Sequence, residues 1–326
     1  MERLEKKRLN VFVDAIVGVI PVAIMFVIVL LLSLGNLNFY LPQNAGNIAR
    51  QSAVPIAMAM SVCVTVRAKG PDFSIGTVTL LSMLMIAYFL SRGVALPLAL
   101  LVAFAAAGGI GLLNGWLGTK IPVVFATMIT GFGFYFIVRY FFATGEYSAG
   151  GALDGIREHL FFLVLICAVI PVFLFIFRSR LGLPFAQRKN DKSCFYILPY
   201  VISSLLGCLA GVILLARVNV ALITSTSGMD AEWQVVFLAL CLYASKLWDN
   251  KWLPVFAVML VSWLNVAFEN AMTLMRLIVE AGFYVNGLLL AVLVVAVVLR
   301  WVYHQYGWGM LSNRLEPGVG RERCMR

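Results

Sequence analysis

Long apolar segments alternate with short polar connections along the whole chain. Most of these segments approach the roughly 20 residues that a helix needs to cross a bilayer. They lack the alternation of polar and apolar positions that is typical of strands in an outer-membrane barrel. The pattern predicts an all-α integral membrane protein with about ten transmembrane helices. The predicted spans are residues 11–34, 51–66, 74–90, 95–118, 123–142, 160–177, 195–217, 229–245, 252–269 and 283–300.

The composition supports a membrane protein and excludes two other classes. Of the 326 residues, 62% are hydrophobic and 12% are charged, and the mean hydropathy is +0.95. Soluble domains carry roughly a quarter charged residues, so this chain could not cover a water-exposed surface with polar groups. A water-soluble enzyme and a disordered protein are both excluded. We expect residues 1–326 to form a single transmembrane domain.

The distribution of cations predicts the orientation of the spans. With ten crossings and an inner N-terminus, nineteen of the 25 Lys and Arg residues fall on the inner side. Such an excess is typical of cytoplasmic segments. Both termini are therefore expected in the cytoplasm, as a basic N-terminus at 1–10 and a basic tail at 301–326. The longest inner connection, 178–194, is also strongly basic.

A polar segment at 67–76 interrupts the hydrophobic pattern. Gly70 and Pro71 are expected to end one helix, and Asp72 or Ser74 to cap the next. The apolar run ahead of them, from Ser52 to Val66, would give only about 22 Å of helix. A short, interrupted helix pair is typical of discontinuous spans that line a substrate pathway. A tight cytoplasmic turn between ordinary helices explains the same residues, and the sequence leaves both interpretations open.

Small residues mark positions where helices approach closely or end. Gly111 and Gly115 have the GxxxG spacing that lets two helices pack tightly, and Gly207 and Gly211 form a similar face. Plain helix packing accounts for each cluster. The residues expected to break or pack helices are Gly70, Pro71, Gly76, Gly111, Gly115 and Pro122.

Candidate chemistry in the chain is sparse. The sequence contains no phosphate-binding GxxxxGK[ST] motif, and its two histidines lie far apart without metal-ligand spacing. We expect no catalytic residue, no metal site and no cofactor bound by this chain. Glu269, Arg276 and Glu280 fall near the predicted outer face. They are either solvated or part of a docking surface or outer gate.

Several blocks resemble the permeases of bacterial ATP-binding-cassette (ABC) importers of the ribose and branched-chain-amino-acid type. The segment 70–76, GPDFSIG, is similar to the family's G-I-D-L-S-V-G block, and 111–115 with Pro122 is similar to its G-L-L-N-G…P stretch. Further agreement covers 200–211, 264–270 and 286–287. The coupling segment departs from the family because only Arg180, Gly182 and Asn190 fit its start and the remainder is shortened.

The resemblance implies a permease subunit of an ABC importer in the bacterial inner membrane, with no enzyme activity of its own. It would form the translocation pathway for a small polar solute, with the sugar-importing branch, and so a monosaccharide, favoured. The expected pathway residues are Asp72, Ser74, Asn114 and Asn265. The expected residues for coupling to the ATPase, in the loop 178–194, are Arg180, Gly182, Leu183, Arg188 and Asn190.

The same resemblance implies a set of partners. These are cytoplasmic ATPase subunits that hold ATP and Mg²⁺, a second permease subunit (the same or a homologous chain), a periplasmic solute-binding protein and membrane lipid. No nucleic acid is expected. Two other functions stay open: an ion-coupled secondary transporter, which the scarcity of buried acids disfavours, and a non-transporting or regulatory partner subunit of a heteromeric permease, which the shortened coupling segment allows.

Overall fold

The protein is described by a computed structural model over residues 23–68, 70–142, 145–178, 197–221, 253–276 and 295. This part of the chain is mostly helical, and five of its helices are long and apolar enough to cross a membrane. Those helices indicate a multi-pass membrane protein. The predicted spans at 229–245 and 283–300 lie outside the described residues, so the count of ten and the orientation of the termini remain predictions.

The helices follow one another with short connections. In chain order they are α1 (Ala23–Leu34), a 3-10 turn (Leu37–Tyr40), α2 (Pro42–Ala68), α3 (Ile75–Ser91), α4 (Leu96–Leu117), α5 (Val123–Phe142), α6 (Asp154–Arg157), α7 (Leu160–Val164), a π-helical turn (Leu165–Val169), α8 (Ile170–Arg178), α9 (Leu198–Val218) and α10 (Leu253–Leu274). Two short strands, β1 (Tyr147–Ser148) and β2 (Val220–Ala221), pair antiparallel.

Helix α2 lies at the centre of the bundle. From Ser52 to Val66 every side chain is buried, as expected for a helix that is apolar on all faces and surrounded by other helices. It packs against α9 on one side and α10 on another, with α7 also in contact. Outward faces of the surrounding helices carry large apolar side chains, such as Phe132 and Phe136 on α5.

Close contacts through glycine join α9 to two neighbouring helices. A Cβ placed on Gly111 of α4 would lie 2.6 Å from the carbonyl oxygen of Tyr200, and one on Gly115 would lie 2.6 Å from the Cα of Ile197. On another face of α9, a Cβ on Gly211 would lie 2.6 Å from the carbonyl oxygen of Thr79. Only glycine permits backbones to approach this closely, so these contacts fix α4, α9 and α3 against one another.

The helix boundaries agree with the predicted spans at several elements and differ at α2. The segments 74–90, 95–118 and 123–142 correspond within a residue to α3, α4 and α5. The interpretation of 51–66 as a short helix is wrong, because α2 begins at Pro42 and its 27 residues extend about 40 Å. Its first turns carry Asn44, Asn47 and Arg50, which hid the helix from a hydropathy pattern.

Candidate functional site

The break between α2 and α3 is built around Asp72. Helix α2 ends at Ala68 and α3 begins at Ile75, so five described residues, 70–74, connect the two. One carboxylate oxygen of Asp72, Oδ1, accepts hydrogen bonds from the backbone N–H of Ser74 at 2.9 Å and from its hydroxyl at 2.6 Å. This local turn satisfies a donor that the start of α3 would otherwise leave unpaired.

The other carboxylate oxygen connects the break to α9 and α2. The hydroxyl of Ser203 donates to Asp72 Oδ2 at 2.8 Å. Ser61 of α2 lies next to it, with its hydroxyl 2.7 Å from that of Ser203 and 3.0 Å from the Ser203 carbonyl oxygen. The phenol of Tyr200 donates to the carbonyl oxygen of Gly70 at 3.2 Å. The first turns of α9 thus bind both the backbone and the side chains of the break.

Asn114 of α4 completes the arrangement. Its amide Nδ2 donates to the Ser74 hydroxyl at 2.7 Å and lies 3.4 Å from Asp72 Oδ1. The hydroxyl of Thr130 of α5 donates to Asn114 Oδ1. We call this cluster the helix-break network, and its six members are Ser61, Asp72, Ser74, Asn114, Thr130 and Ser203.

The helix-break network is closed to solvent. Asp72 and Asn114 are both 0% exposed. A buried carboxylate loses several kcal/mol of hydration, which only good hydrogen bonds can offset. Asp72 accepts four hydrogen bonds from three different segments of the chain. These bonds offset the lost hydration and hold the three segments together.

The structure brings three of the four expected pathway residues together and leaves the fourth apart. Asp72, Ser74 and Asn114 are in mutual contact, whereas Asn265 lies on α10 and donates to Glu269 Oε1 at 3.2 Å. Sequence reasoning missed Ser61, Thr130 and Ser203. Each is a lone hydroxyl in an apolar helix, and such residues are too common in membrane helices to be selected without knowledge of which faces meet.

Of the other predicted site residues, those expected to break or pack helices lie within the described residues, and those expected to couple to the ATPase lie outside them. Gly70 and Pro71 lie in the break, Gly76 is buried in the first turn of α3, and Pro122 directly precedes α5. Gly111 and Gly115 make the close contact with α9. Outside the described residues lie Glu280 and the whole predicted coupling set, Arg180, Gly182, Leu183, Arg188 and Asn190.

A charged cavity of about 520 Å³ lies where α2 begins and α9 ends. It is therefore at the opposite end of these two helices from the contacts of the break with α9. We call it the charged cavity, and its lining residues are Asn47, Arg50, Gln51, Arg157, Glu158, Leu160, Arg217 and Glu269. Arg50 and Glu158 form an ion pair across its wall, with side chains 35% and 68% exposed. Its volume is within the range of about 300–1,000 Å³ that is usual for small-molecule sites.

A proline in α2 explains how Arg217 is held in this cavity. The carbonyl of Gln51 would normally accept the N–H of residue 55, but Pro55 has none. The guanidinium of Arg217 instead donates to the Gln51 carbonyl oxygen, at 3.5 Å. Arg217 also interacts electrostatically with Glu269 of α10. The backbone defect thus gives one cation at the end of α9 an acceptor, beside the carboxylate of Glu269.

Comparison with known proteins adds no relative. No protein-family model, no curated protein sequence and no solved structure matches the chain.

Proposed function

We propose that the chain is a transmembrane permease subunit of an ABC importer, which moves a small polar solute across the bacterial inner membrane with energy from separate ATPase subunits. The observation that carries the proposal is the helix-break network. Ionisable residues buried within membrane bundles are costly, and they tend to belong to a functional pathway or to the helix breaks beside one. Asp72 is such a residue, and it lies in the segment that resembles the permease motif.

The charged cavity supports the same function from the other end of the bundle. A polar solute needs a water-accessible chamber among helices that are otherwise apolar, and this cavity is lined by charged and amide side chains from α2, α9 and α10. It lies on the same two helices, α2 and α9, that contribute Ser61 and Ser203 to the helix-break network. A rigid-body tilt of α9 would therefore act on both regions at once.

The position of α9 also suits a coupling role. This helix begins at Leu198, directly after the basic connection 178–194 that is proposed to bind the ATPases. Its first turns carry Tyr200 and Ser203, which bind the break. Movement of that connection would reach Asp72 through two turns of one helix. The solute-binding protein and the second permease subunit complete the proposed assembly.

The proposal is tested by purifying the full chain, tagged, from the membranes of its own cells. We expect an ATPase to co-purify and uptake of solute to require ATP. Deletion of 181–190 should remove both, whereas deletion of 321–326, another basic segment on the predicted inner side, should leave both unchanged. Retention of ATPase association and uptake after deletion of 181–190 would contradict the proposal.

One observation favours a second candidate, the ion-coupled transporter. The carboxylate of Asp72 is fully buried and surrounded by the hydroxyls of Ser74 and Ser203, an oxygen-rich environment of the kind that holds a proton or a small cation. The two candidates differ in their energy source. Uptake that stops with a protonophore or sodium removal while ATP is held constant would select the ion-coupled mechanism.

A further inference from the structure

The charged cavity has an unbalanced charge. Among the lining residues of the described chain, three guanidiniums stand against two carboxylates, which leaves one positive charge. The ion pair of Arg50 with Glu158 neutralises one of each. Arg157, Arg217 and Glu269 remain, so two guanidiniums share one carboxylate, which interacts with Arg217 and accepts a hydrogen bond from Asn265. The excess positive charge of this lining favours an anionic ligand.

Arg217 has the free capacity to bind such a ligand. A guanidinium carries five N–H donors in a planar fork that matches a carboxylate. Within the described residues, the Arg217 side chain makes a single hydrogen bond, the 3.5 Å contact with the Gln51 carbonyl. That contact depends on the backbone defect at Pro55, so the guanidinium is held in place while most of its donors are left for a ligand.

The lining residues also disfavour a neutral sugar. None of those within the described chain is aromatic, and Leu160 is the single apolar side chain among them. The apolar C–H faces of a sugar ring are commonly covered by aromatic rings, and this cavity offers none from its described walls. Asn47 Oδ1 accepts a hydrogen bond from Arg50 at 2.8 Å, so Asn47 can bind a hydroxyl group through its Nδ2, and Gln51 through its side-chain amide.

We propose that the charged cavity binds a small polar organic anion of the carboxylate class, with Arg217 receiving the carboxylate and the amides of Asn47 and Gln51 receiving its hydroxyl groups. A polyhydroxylated monocarboxylate fits the volume, the single excess charge and the amide groups. The proposal rests on the proposed permease function and narrows its solute from a monosaccharide to a sugar acid.

The test measures ligand binding by the purified full chain in detergent. Sodium gluconate is the probe, glucose is its neutral counterpart, and sodium chloride at equal ionic strength controls for salt. We expect gluconate to bind and to raise the unfolding temperature, with glucose and chloride without effect. Arg217→Gln should weaken gluconate binding about tenfold or more, because it removes a charge-assisted fork. Arg139→Gln, on an exposed arginine that does not line the cavity, should leave binding unchanged.

A second variant keeps the test decisive if Arg217→Gln fails to fold. Glu269→Gln removes a carboxylate from the wall and should tighten gluconate binding several-fold. Equal binding of gluconate and glucose, a gluconate effect reproduced by chloride, or weaker binding in Glu269→Gln would each overturn the proposal. Uptake of a neutral sugar driven by ATP would refute the carboxylate ligand and leave the permease function intact. Gluconate binding by the purified chain, with no ATPase co-purifying from its own membranes and no ATP-dependent uptake, would support the carboxylate ligand and refute the permease function.

Discussion

The helix-break network and the charged cavity use polar residues in opposite ways. In the network, Asp72 and Asn114 are 0% exposed and the carboxylate is surrounded by donors from the break itself, α4 and α9. In the cavity, the ion pair of Arg50 and Glu158 is open to solvent, and the Arg217 guanidinium makes one hydrogen bond within the described residues. Buried, satisfied groups fix a structure, and exposed, partly satisfied groups are available to a ligand. Substitutions in the network should therefore act on stability, and those in the cavity on binding.

Removal of the Asp72 carboxylate should give the largest effect. In Asp72→Ala the hydroxyls of Ser74 and Ser203 and the amide of Asn114 lose their common acceptor inside the bundle. Each buried donor left without an acceptor costs about 1–3 kcal/mol, so the combined loss should be the largest of the series. The loss is measured as unfolding of the purified chain in mixed detergent. A loss below 1 kcal/mol, which is the size expected of a surface group, would remove the distinction between the two regions.

The hydroxyl of Ser203 should have an intermediate effect. Ser203→Ala leaves Asp72 Oδ2 buried without the donor that now lies at 2.8 Å. We expect a loss of about 1.5–3 kcal/mol, because the bond is made to a charged group. Ser61→Ala is the matched control, since the Ser61 hydroxyl contacts Ser203 and makes no bond to the carboxylate within the described residues. A larger loss for Ser61→Ala than for Ser203→Ala would show that the carboxylate is not the centre of the network.

The sequence predicts much of the fold and only part of each polar region. Apolar runs locate α3 to α5 because their faces are uniformly apolar, whereas the polar first turns of α2 obscured its start. Asp72 and Ser74 could be selected because they lie in a polar interruption of the apolar pattern, and Asn114 because it lies in a block that resembles the permease motif. Their partner Ser203 could not, because its role depends on which face of α9 meets the break. The cavity depends on Arg50, Glu158 and Arg217, which are distant in sequence and are joined only by packing.

The glycine contact that positions Asn114 should also be sensitive to substitution. Gly111 lies one helical turn before Asn114, and a Cβ at Gly111 would meet the backbone of α9 at 2.6 Å. In Gly111→Ala the helices must separate, at a cost of about 1–3 kcal/mol. Gly109→Ala on the same helix is the control, because nothing lies within 4 Å of its added methyl group. That control should be neutral or stabilising by about 0.5–1 kcal/mol, and equal losses in the two variants would rule out a specific α4–α9 contact.

The ion pair at the cavity should have the smallest effect on stability. Arg50 and Glu158 have side chains 35% and 68% exposed, so water and salt screen their attraction. A double-mutant cycle with Arg50→Gln and Glu158→Gln should give a coupling energy of about 0.2–1 kcal/mol that falls as salt is raised. Unfolding at low and high ionic strength measures it. A coupling of 3 kcal/mol that salt does not change would mean that the cavity wall is as closed as the helix-break network, and the contrast between an open and a closed polar region would fail.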